Sequence, residues 1–459
     1  MRTHTADGST RLSLWLRVRE FAVPPSMIET ATARRLAGDW AGACAASGFD
    51  VDFRPGSVAR THGRELAGRL RADLRHLAPE LLRWHMPRIA PDGLLRPGLT
   101  LTLARYHRAG AAGPLHLVAR TPPAWADAGQ RISLGLWDGT RDDPGARRHP
   151  HPRPDPRFRL DLHRHLWDAH RADELRVRSG AELPPSDLHL AGLVPDGHRC
   201  AVGRWAAEAA ILLDAEGRST RTVTVRIGSR RRLDLDLAGE GGGAGPPGMR
   251  ITAAAQASGA PAPPVLPDAA TWVLPDLDLL RTGSIEPGRL HPLVASALVP
   301  GHVPAATART PDRAGQPRLV ECRGSRHRIG LVDGVLSPLD HDPAELRREE
   351  LLAALTGTPL PCLQAIGVAH RRPDCLPGVR ERLVHGDTAG ALAVVEDLLG
   401  PDALLRDGAL RDELTEAARR RVAYGLFRAD LTGPRTKPRP GDLLPGIRPP
   451  RQRPSRPRR

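Results

Sequence analysis

Residues 1–95 place apolar side chains at spacings of three and four, the period of an amphipathic helix. A helix over about 59–77 is predicted by four leucines at this spacing, Leu66, Leu70, Leu74 and Leu77. A Ser-x-x-Glu pair, Ser26 and Glu29, has the spacing of a capping box and predicts an earlier helix. The N-terminal region is therefore predicted to be mainly helical.

The apolar period changes to two in the middle of the chain. Apolar residues alternate with small or polar ones over three segments, 99–103, 115–117 and 132–136. This alternation is typical of an antiparallel meander with one buried face. Phe158, Leu160 and Leu162 continue it and predict a further strand, and 223–227 with 233–237 predict a separate hairpin.

The C-terminal part combines a hairpin with helices. Asp333-Gly334 is a strong turn signal between two short apolar runs. Asp342-Pro343 is a typical helix start, and the last helix is predicted over about 408–430. The fold class predicted for the whole chain is α+β.

Composition divides the chain into blocks. Residues 238–267 are rich in Gly, Ala and Pro without periodicity, which predicts a linker. The predicted order begins with a helical N-terminal region (1–95) and an α+β domain with an antiparallel sheet (96–237). The linker (238–267), a hairpin-plus-helical domain (268–433) and a basic, disordered tail (434–459) follow.

One short motif occurs twice. Gly38-Asp39-Trp40-Ala41-Gly42-Ala43 matches Gly386-Asp387-Thr388-Ala389-Gly390-Ala391 in the positions of Gly, Asp and Ala. In both copies the aspartate is expected to cap the second helix of a tight helical hairpin.

The amino-acid composition excludes several enzyme classes. Lys437 is the single lysine and lies in the tail, and asparagine is absent from the chain. A P-loop, a protein kinase and a Schiff-base enzyme each need a lysine at the reaction site. The missing asparagine excludes Cys-His-Asn catalysis and N-glycosylation.

The formal net charge of +15 is unevenly distributed. The tail holds nine basic residues against one acidic residue, so it is a candidate for nucleic-acid binding through phosphate contacts. Its final arginines are Arg451, Arg453, Arg456, Arg458 and Arg459. A second candidate is the hairpin tip Arg230, Arg231 and Arg232, because guanidinium groups suit phosphate oxygens. The alternative is that both segments are only solvated, the hairpin tip keeping a sheet edge soluble.

The five cysteines are widely spaced and include no Cys-x-x-Cys pair. This pattern favours a reducing compartment and argues against a zinc ribbon. The N-terminus lacks the pattern of a signal peptide, and no apolar run is long enough for a membrane span. A cytoplasmic protein without membrane contact is therefore predicted.

The segment 149–170 contains five histidines and three aspartates. Asp161, His163 and His165 would share one face of a strand, where they could hold zinc or manganese. The alternative, favoured by the neighbouring arginines, is a solvated polar face. No metal and no other cofactor are predicted.

Three short stretches carry a resemblance, namely Trp84-His85-Met86-Pro87-Arg88, His149-Pro150-His151-Pro152 and Ala423-Tyr424-Gly425-Leu426-Phe427. They resemble a group of uncharacterised proteins of Streptomyces-type actinobacteria. The resemblance implies an actinobacterial lineage and a cytoplasmic setting, and it implies no activity.

The leading hypothesis from the sequence is a non-catalytic protein-binding adaptor, its partner unidentified, with an ATPase encoded nearby as one candidate. Its basis is the absence of nucleotide, nucleophile and metal signatures between well-patterned blocks. The alternatives are nucleic-acid binding through the arginine-rich tail, and a metal-dependent hydrolase or nuclease that uses Asp161, His163 and His165.

Overall fold

A computed structural model describes most of the chain. The described ranges are 4–108, 113–126, 130–140, 149–183, 199–228, 231–237, 249–254, 262–302, 318–322, 324–332, 335–356, 360–364, 376–399 and 408–431. Arg230 and the whole tail 434–459, with Arg451, Arg453, Arg456, Arg458 and Arg459, lie outside these ranges, as do 238–248 and 255–261 of the predicted linker.

The described residues combine many helices with small sheets, so the predicted α+β class is confirmed. The α-helices are α1 (His4–Arg17), α2 (Pro25–Leu36), α3 (Trp40–Ala46), α4 (Pro55–His62), α5 (Arg64–His76), α6 (Pro79–His85), α7 (Leu175–Arg178), α8 (Val202–Ala215), α9 (Asp268–Thr271), α10 (Pro275–Arg281), α11 (Pro292–Leu298), α12 (Pro343–Thr356), α13 (Leu376–Val384), α14 (Thr388–Leu399) and α15 (Ala409–Arg428). A π-helical turn, Val18–Ala22, follows α1 directly. Within the described ranges, no helix has the length and apolar character needed to cross a membrane.

The strands form four small sheets. They are β1 (Phe49–Val51), β2 (Arg88–Ile89), β3 (Leu94–Leu95), β4 (Thr100–Tyr106), β5 (Leu115–Arg120), β6 (Ile132–Trp137), β7 (Thr222–Ile227), β8 (Arg231–Leu237), β9 (Met249–Ala253), β10 (Arg318–Cys322), β11 (Ser325–Val332) and β12 (Val335–Pro338). The orders are β1-β6-β5-β4, β2-β3, β7-β8-β9 and β10-β11-β12.

The predicted meander is β4, β5 and β6, which pair antiparallel. The sequence pattern missed β1, a three-residue strand that pairs parallel to β6 at the sheet edge. Three residues are too few to show an alternation, so only the tertiary contact identifies this strand.

The strand predicted at Phe158, Leu160 and Leu162 is wrong. The segment touches β4 through one parallel bridge between Thr102 and Arg159 and then turns. The backbone amides of Leu162 and His163 donate to carbonyls three residues earlier, which bends the chain. Phe158 and Leu160 are still buried, so the apolar pattern marked the core contact but not the conformation.

The predicted linker contains ordered structure. β9 pairs antiparallel with β8, and Val265 forms a parallel bridge with Thr224 of β7. Leu266 is fully buried in the core of this sheet. The linker prediction is therefore wrong at β9 and at 262–267. Pairing with neighbouring strands gives these residues backbone hydrogen bonds, although their side chains show no apolar alternation.

Two helix predictions need correction in detail. The helix predicted over 59–77 is split into α4 and α5 at Gly63, whose φ of +91° no other residue type adopts easily. The capping box at Ser26 does not form, because α2 already begins at Pro25 with Pro24 before it. Proline at the first helical position replaces the expected cap.

One hydrophobic core joins parts of three predicted blocks. It runs from the π turn through α5 and α6 to the meander, and it includes α11 from beyond the linker. The blocks predicted at 1–95 and 96–237 therefore share a core. A second core lies between α8 and the β7-β8-β9 sheet, and a small third one joins α13, α14 and α15.

Candidate functional site

A cavity of about 290 Å³ lies where the N-terminal helices meet the turns that follow the meander. Its walls come from α1, the π turn, the end of α6, the segment 157–166 and the segment 268–275. The lining combines arginines, histidines and aromatic rings, namely Arg11, Trp15, Arg19, Trp84, His85, Arg88, Arg96, Arg157, Phe158, His165, Arg178 and Trp272.

The local sequence at the end of α6 places two of these side chains. The helix ends at His85, and Met86 takes an extended conformation before Pro87, which cannot continue the helix. Arg88 then begins β2. Because of this abrupt stop, His85, Met86 and Arg88 all line the cavity, and Met86 also belongs to the hydrophobic core.

Arg19 lies in the wall of the cavity, and its guanidinium group is fully hydrogen-bonded. Its guanidinium donates two hydrogen bonds of 2.8 Å to the carboxylate of Asp276 and one of 2.7 Å to the carbonyl of Trp84. The same group lies 4.2 Å from the centre of the Trp84 ring. This buried pair is neutral as a unit and holds the π turn, α6 and α10 together.

Two further arginines of the lining are also neutralised. Arg157 donates to both carboxylate oxygens of Asp268, at 3.0 and 2.8 Å. Arg178 donates to both oxygens of Glu208, at 2.7 and 2.6 Å. Although burial opposes it, His163 and Arg178 hold the pKa of Glu208 well below its usual range. These groups shape the cavity and leave no net charge in it.

Arg88 is different, because none of the described carboxylates forms an ion pair with it. Its guanidinium donates to two backbone carbonyls, those of Arg83 at 2.8 Å and Gly93 at 3.4 Å. Its Nε is buried without a hydrogen-bond partner. Burial, together with the nearby charges of Arg83 and Arg19, lowers the pKa of Arg88 well below its usual value. The cavity wall therefore carries a cation that lacks a counter-ion.

Two histidine nitrogens on the same cavity also lack partners. His85 Nε2 and His165 Nδ1 are buried, and neither forms a hydrogen bond within the described part of the chain. Burial lowers the pKa of both imidazoles well below the usual range, with Arg19 adding to the effect at His85 and His163 at His165. Both rings are therefore neutral at pH 7, each with a donor and an acceptor nitrogen.

The structure does not bring the predicted metal ligands together. Asp161 is held by Arg159, which donates to both carboxylate oxygens at 2.8 Å. His163 Nε2 lies 3.2 Å from Glu208 Oε2, whereas His165 faces the cavity. The rings of His163 and His165 are 5.7 Å apart and edge-to-face. The segment is buried, contrary to the solvated polar face that the sequence favoured.

The predicted basic hairpin is present in part. Arg231 and Arg232 are exposed at the start of β8, and Arg232 pairs in register with Arg226 of β7. This pairing places Arg226, which is near the tip in the sequence as well, directly opposite Arg232.

Three ligand-type side chains meet at one place in the described ranges, away from the cavity. The ligand atoms of Cys322, His341 and Cys362 all lie within 4.8 Å of one another. Both cysteines are fully buried and neither forms a disulfide.

Sequence reasoning missed the cavity, and a usable signal was present. Trp84, His85 and Arg88 lie within five residues around a helix-ending proline, a dense combination of aromatic and cationic groups. The convergence of Arg88 with His165 across 77 positions has no local signature.

Comparison with protein families, curated proteins and solved structures finds no match to this chain.

Proposed function

We propose that the protein binds a small organic anion in the cavity between α1, α6 and the segment 157–166. The observation that carries this proposal is the Arg88 guanidinium, which has no carboxylate partner among the described residues and lines the same cavity as His85 Nε2 and His165 Nδ1, two buried nitrogens that also lack a hydrogen-bond partner there. A buried cation without a counter-ion is costly, and so are buried polar atoms without hydrogen bonds. An anionic group would relieve both costs at once.

The remainder of the lining indicates the body of the ligand. Trp15, Phe158 and Trp272 supply aromatic surface, and Leu101, Leu160, Leu166 and Leu175 supply aliphatic surface. The volume is at the lower end of the range of about 300–1,000 Å³ for small-molecule sites. We therefore infer a carboxylate or phosphate attached to a single planar ring.

Binding can be tested with benzoate, phenyl phosphate and the neutral analogue benzamide. We expect the two anions to raise the melting temperature of the full chain and to give saturable heats on titration, because they bind only the folded state. Benzamide should not bind, since it cannot neutralise Arg88. Equal binding of benzamide and benzoate would contradict an anion site.

The variant Arg88→Met tests the residue directly. Benzoate affinity should fall at least about tenfold, or ~1.4 kcal/mol, through loss of a charge-assisted hydrogen bond. The melting temperature without ligand should change little, because the substitution removes a half-buried charge that has no counter-ion together with the hydrogen bonds to the carbonyls of Arg83 and Gly93. Arg60→Met, on the exposed face of α4, is the matched control and should leave affinity unchanged. Unchanged affinity in Arg88→Met would reject the proposed site.

Nucleic-acid binding is a second proposal, supported by the exposed Arg231 and Arg232 and by Arg226 in register with Arg232. The adaptor role stays a prediction, because no described residue identifies a partner. The hydrolase alternative is not favoured by the geometry, since Arg159 occupies the carboxylate of Asp161.

A further inference from the structure

We propose that Cys322, His341 and Cys362 form a zinc site. The three residues are up to 40 positions apart and belong to different elements. Cys322 ends β10, His341 follows β12, and Cys362 lies in a helical turn at 361–364. Their ligand atoms nevertheless lie within 4.8 Å of one another.

The donor set matches zinc better than other common metals. Two thiols and one imidazole are soft and borderline ligands, which favour zinc over magnesium or calcium. Zinc–sulfur bonds of about 2.3 Å place the ligand atoms of a tetrahedral site about 3.8 Å apart. The three ligand atoms would therefore have to move by less than about 1 Å from their observed positions to bind zinc. Rotation of the side chains supplies this movement. With both thiols ionised, the two thiolates would balance the charge of the metal.

The surroundings fix the histidine and leave its ring unpartnered. Asp340 accepts hydrogen bonds from the backbone amide of Arg328 at 2.6 Å and from its guanidinium Nη2 at 2.6 Å, which holds the turn before His341 against β11. His341 Nε2 is buried without a hydrogen-bond partner. The ring of His327 stacks on that of His341 at 4.2 Å. A metal bond would give the imidazole the partner that it lacks.

His327 supports the site and is not one of the three ligands. Its ring is nearly parallel to that of His341, with an interplanar angle of 18°, so the two rings do not converge on one ion. The described residues therefore supply three ligands of a tetrahedral site.

A metal would also explain how this part of the chain is held together. Among the described residues, the buried apolar cluster around the two cysteines contains Leu360, with Val320 and Leu363 packed on it. A structural metal would add a strong link between the distant segments that meet there. The sheet β10-β11-β12 and the 361–364 turn would be fastened at the ion.

The test is the metal content of the purified full chain by mass spectrometry. We expect about one equivalent of zinc, falling at least about tenfold in Cys322→Ser, Cys362→Ser and His341→Ala. Cys200→Ser and His170→Ala change the same residue types elsewhere and should keep the metal. Zinc retained by all three site variants, or a wild-type protein that takes up no zinc after reduction and dialysis against it, would overturn the proposal.

Cobalt binding tests the site in the wild-type protein, so the result does not depend on whether a substituted protein folds. Wild-type protein reconstituted with Co²⁺ should show the visible ligand-field bands of a tetrahedral site and the near-ultraviolet charge-transfer band of thiolate ligands, and zinc should remove both. A Co²⁺ spectrum without thiolate charge transfer would place the metal elsewhere.

Discussion

Buried neutral histidines are the most unusual residues of this protein. Burial lowers the pKa of six of them, His85, His116, His149, His165, His291 and His385. In the unfolded chain each would titrate near about 6.5. Unfolding below that pH therefore takes up protons, so stability is complete above about pH 6.5 and is lost as the pH falls towards the folded pKa values.

His291 permits a clean test of this acid sensitivity. Burial, with the charges of Arg35 and Arg19, lowers its pKa to about 3. Its Nδ1 accepts the Leu293 amide and so caps α11, a role that asparagine also performs. We expect the His291→Asn protein to take up about one proton fewer on unfolding than the wild type. The slope of its unfolding free energy against pH should therefore be smaller by up to ~1.4 kcal/mol per pH unit between about pH 6 and 4.

Urea unfolding at a series of pH values measures this dependence. His291→Asn should also be less stable than the wild type at pH 7, because the imidazole packs edge-on against Trp84 with ring centres 5.8 Å apart. His170→Asn, an exposed position, is the control for the slope. A slope equal to that of the wild type in His291→Asn would show that this histidine does not take up the proton.

At the scale of elements, the repeated Gly-Asp motif forms the same cap twice. Asp39 accepts the Gly42 amide at 2.8 Å and pairs with Arg34 at 3.1 Å. In the second copy Asp387 accepts the Gly390 amide at 2.9 Å and pairs with Arg382 at 2.8 Å. The glycine before each aspartate has a positive φ, +79° at Gly38 and +87° at Gly386. The helical hairpins α2–α3 and α13–α14 are thus joined by the same turn.

The second glycine of the motif is required by the cap itself. A Cβ atom at Gly42 would lie 2.1 Å from Asp39 Oδ2, and the equivalent distance at Gly390 is also 2.1 Å. Alanine would therefore push the carboxylate away from the helix. We expect Gly42→Ala and Gly390→Ala to lower the free energy of unfolding by about 1–2 kcal/mol, the usual cost of a lost N-cap.

Gly68, inside α5, is the matched control for these substitutions. A Cβ atom there meets nothing within 4 Å. Gly68→Ala should raise stability by about 0.5–1 kcal/mol, because alanine has the higher helix propensity. Thermal unfolding separates the two effects by sign. If Gly42→Ala and Gly68→Ala changed stability alike, the steric account of the cap would be wrong.

At the scale of the whole molecule, the last helix packs back onto the N-terminal half. The Tyr424 hydroxyl donates to Asp50 at 2.5 Å, and Arg428 forms an ion pair with Asp52 at 2.5 Å. The rings of Phe427 and Trp125 meet edge-to-face at 5.4 Å. α15 therefore ends in a bonded position before the tail begins.

The tail supports a prediction about nucleic acids. Its nine basic residues are interleaved with prolines and lack aromatic residues, so they can neutralise phosphates but cannot stack bases. Any binding to duplex DNA should be independent of sequence, with a log–log salt slope of roughly −4 to −5 if about five phosphates are neutralised. Fluorescence anisotropy at several salt concentrations measures this slope.

Truncation identifies which segment binds. Deleting 434–459 removes none of the contacts of α15 described above, so the truncated protein should keep its melting temperature and lose DNA binding. Binding that survives truncation would move the contact to the hairpin, where replacing Arg226, Arg231 and Arg232 by glutamine should abolish it. If full-length protein fails to bind at low salt, the nucleic-acid proposal is rejected.

Much of the secondary structure was readable from the sequence, because it depends on nearest neighbours. The meander, the hairpin of β7 and β8 and the long last helix follow from apolar periodicity, and both Gly-Asp caps follow from a spacing of three residues. Apolar periodicity did not predict β1 and β9, because backbone pairing with a neighbouring strand defines these strands more than an alternation of side chains does. It also failed at 158–162, where burial was predicted correctly and conformation was not.

Both proposed sites were decided by the tertiary structure alone. Arg88 and His165 line the same cavity although 77 positions separate them, and Cys322, His341 and Cys362 meet although no short motif links them. The sequence determined which side chains were available, including a chain almost without lysine whose buried cations are arginines. The tertiary structure determined which of those arginines form an ion pair with a carboxylate, because an ion pair requires the two groups to be neighbours in space. Arg19, Arg157 and Arg178 found partners among the described residues, and Arg88 did not.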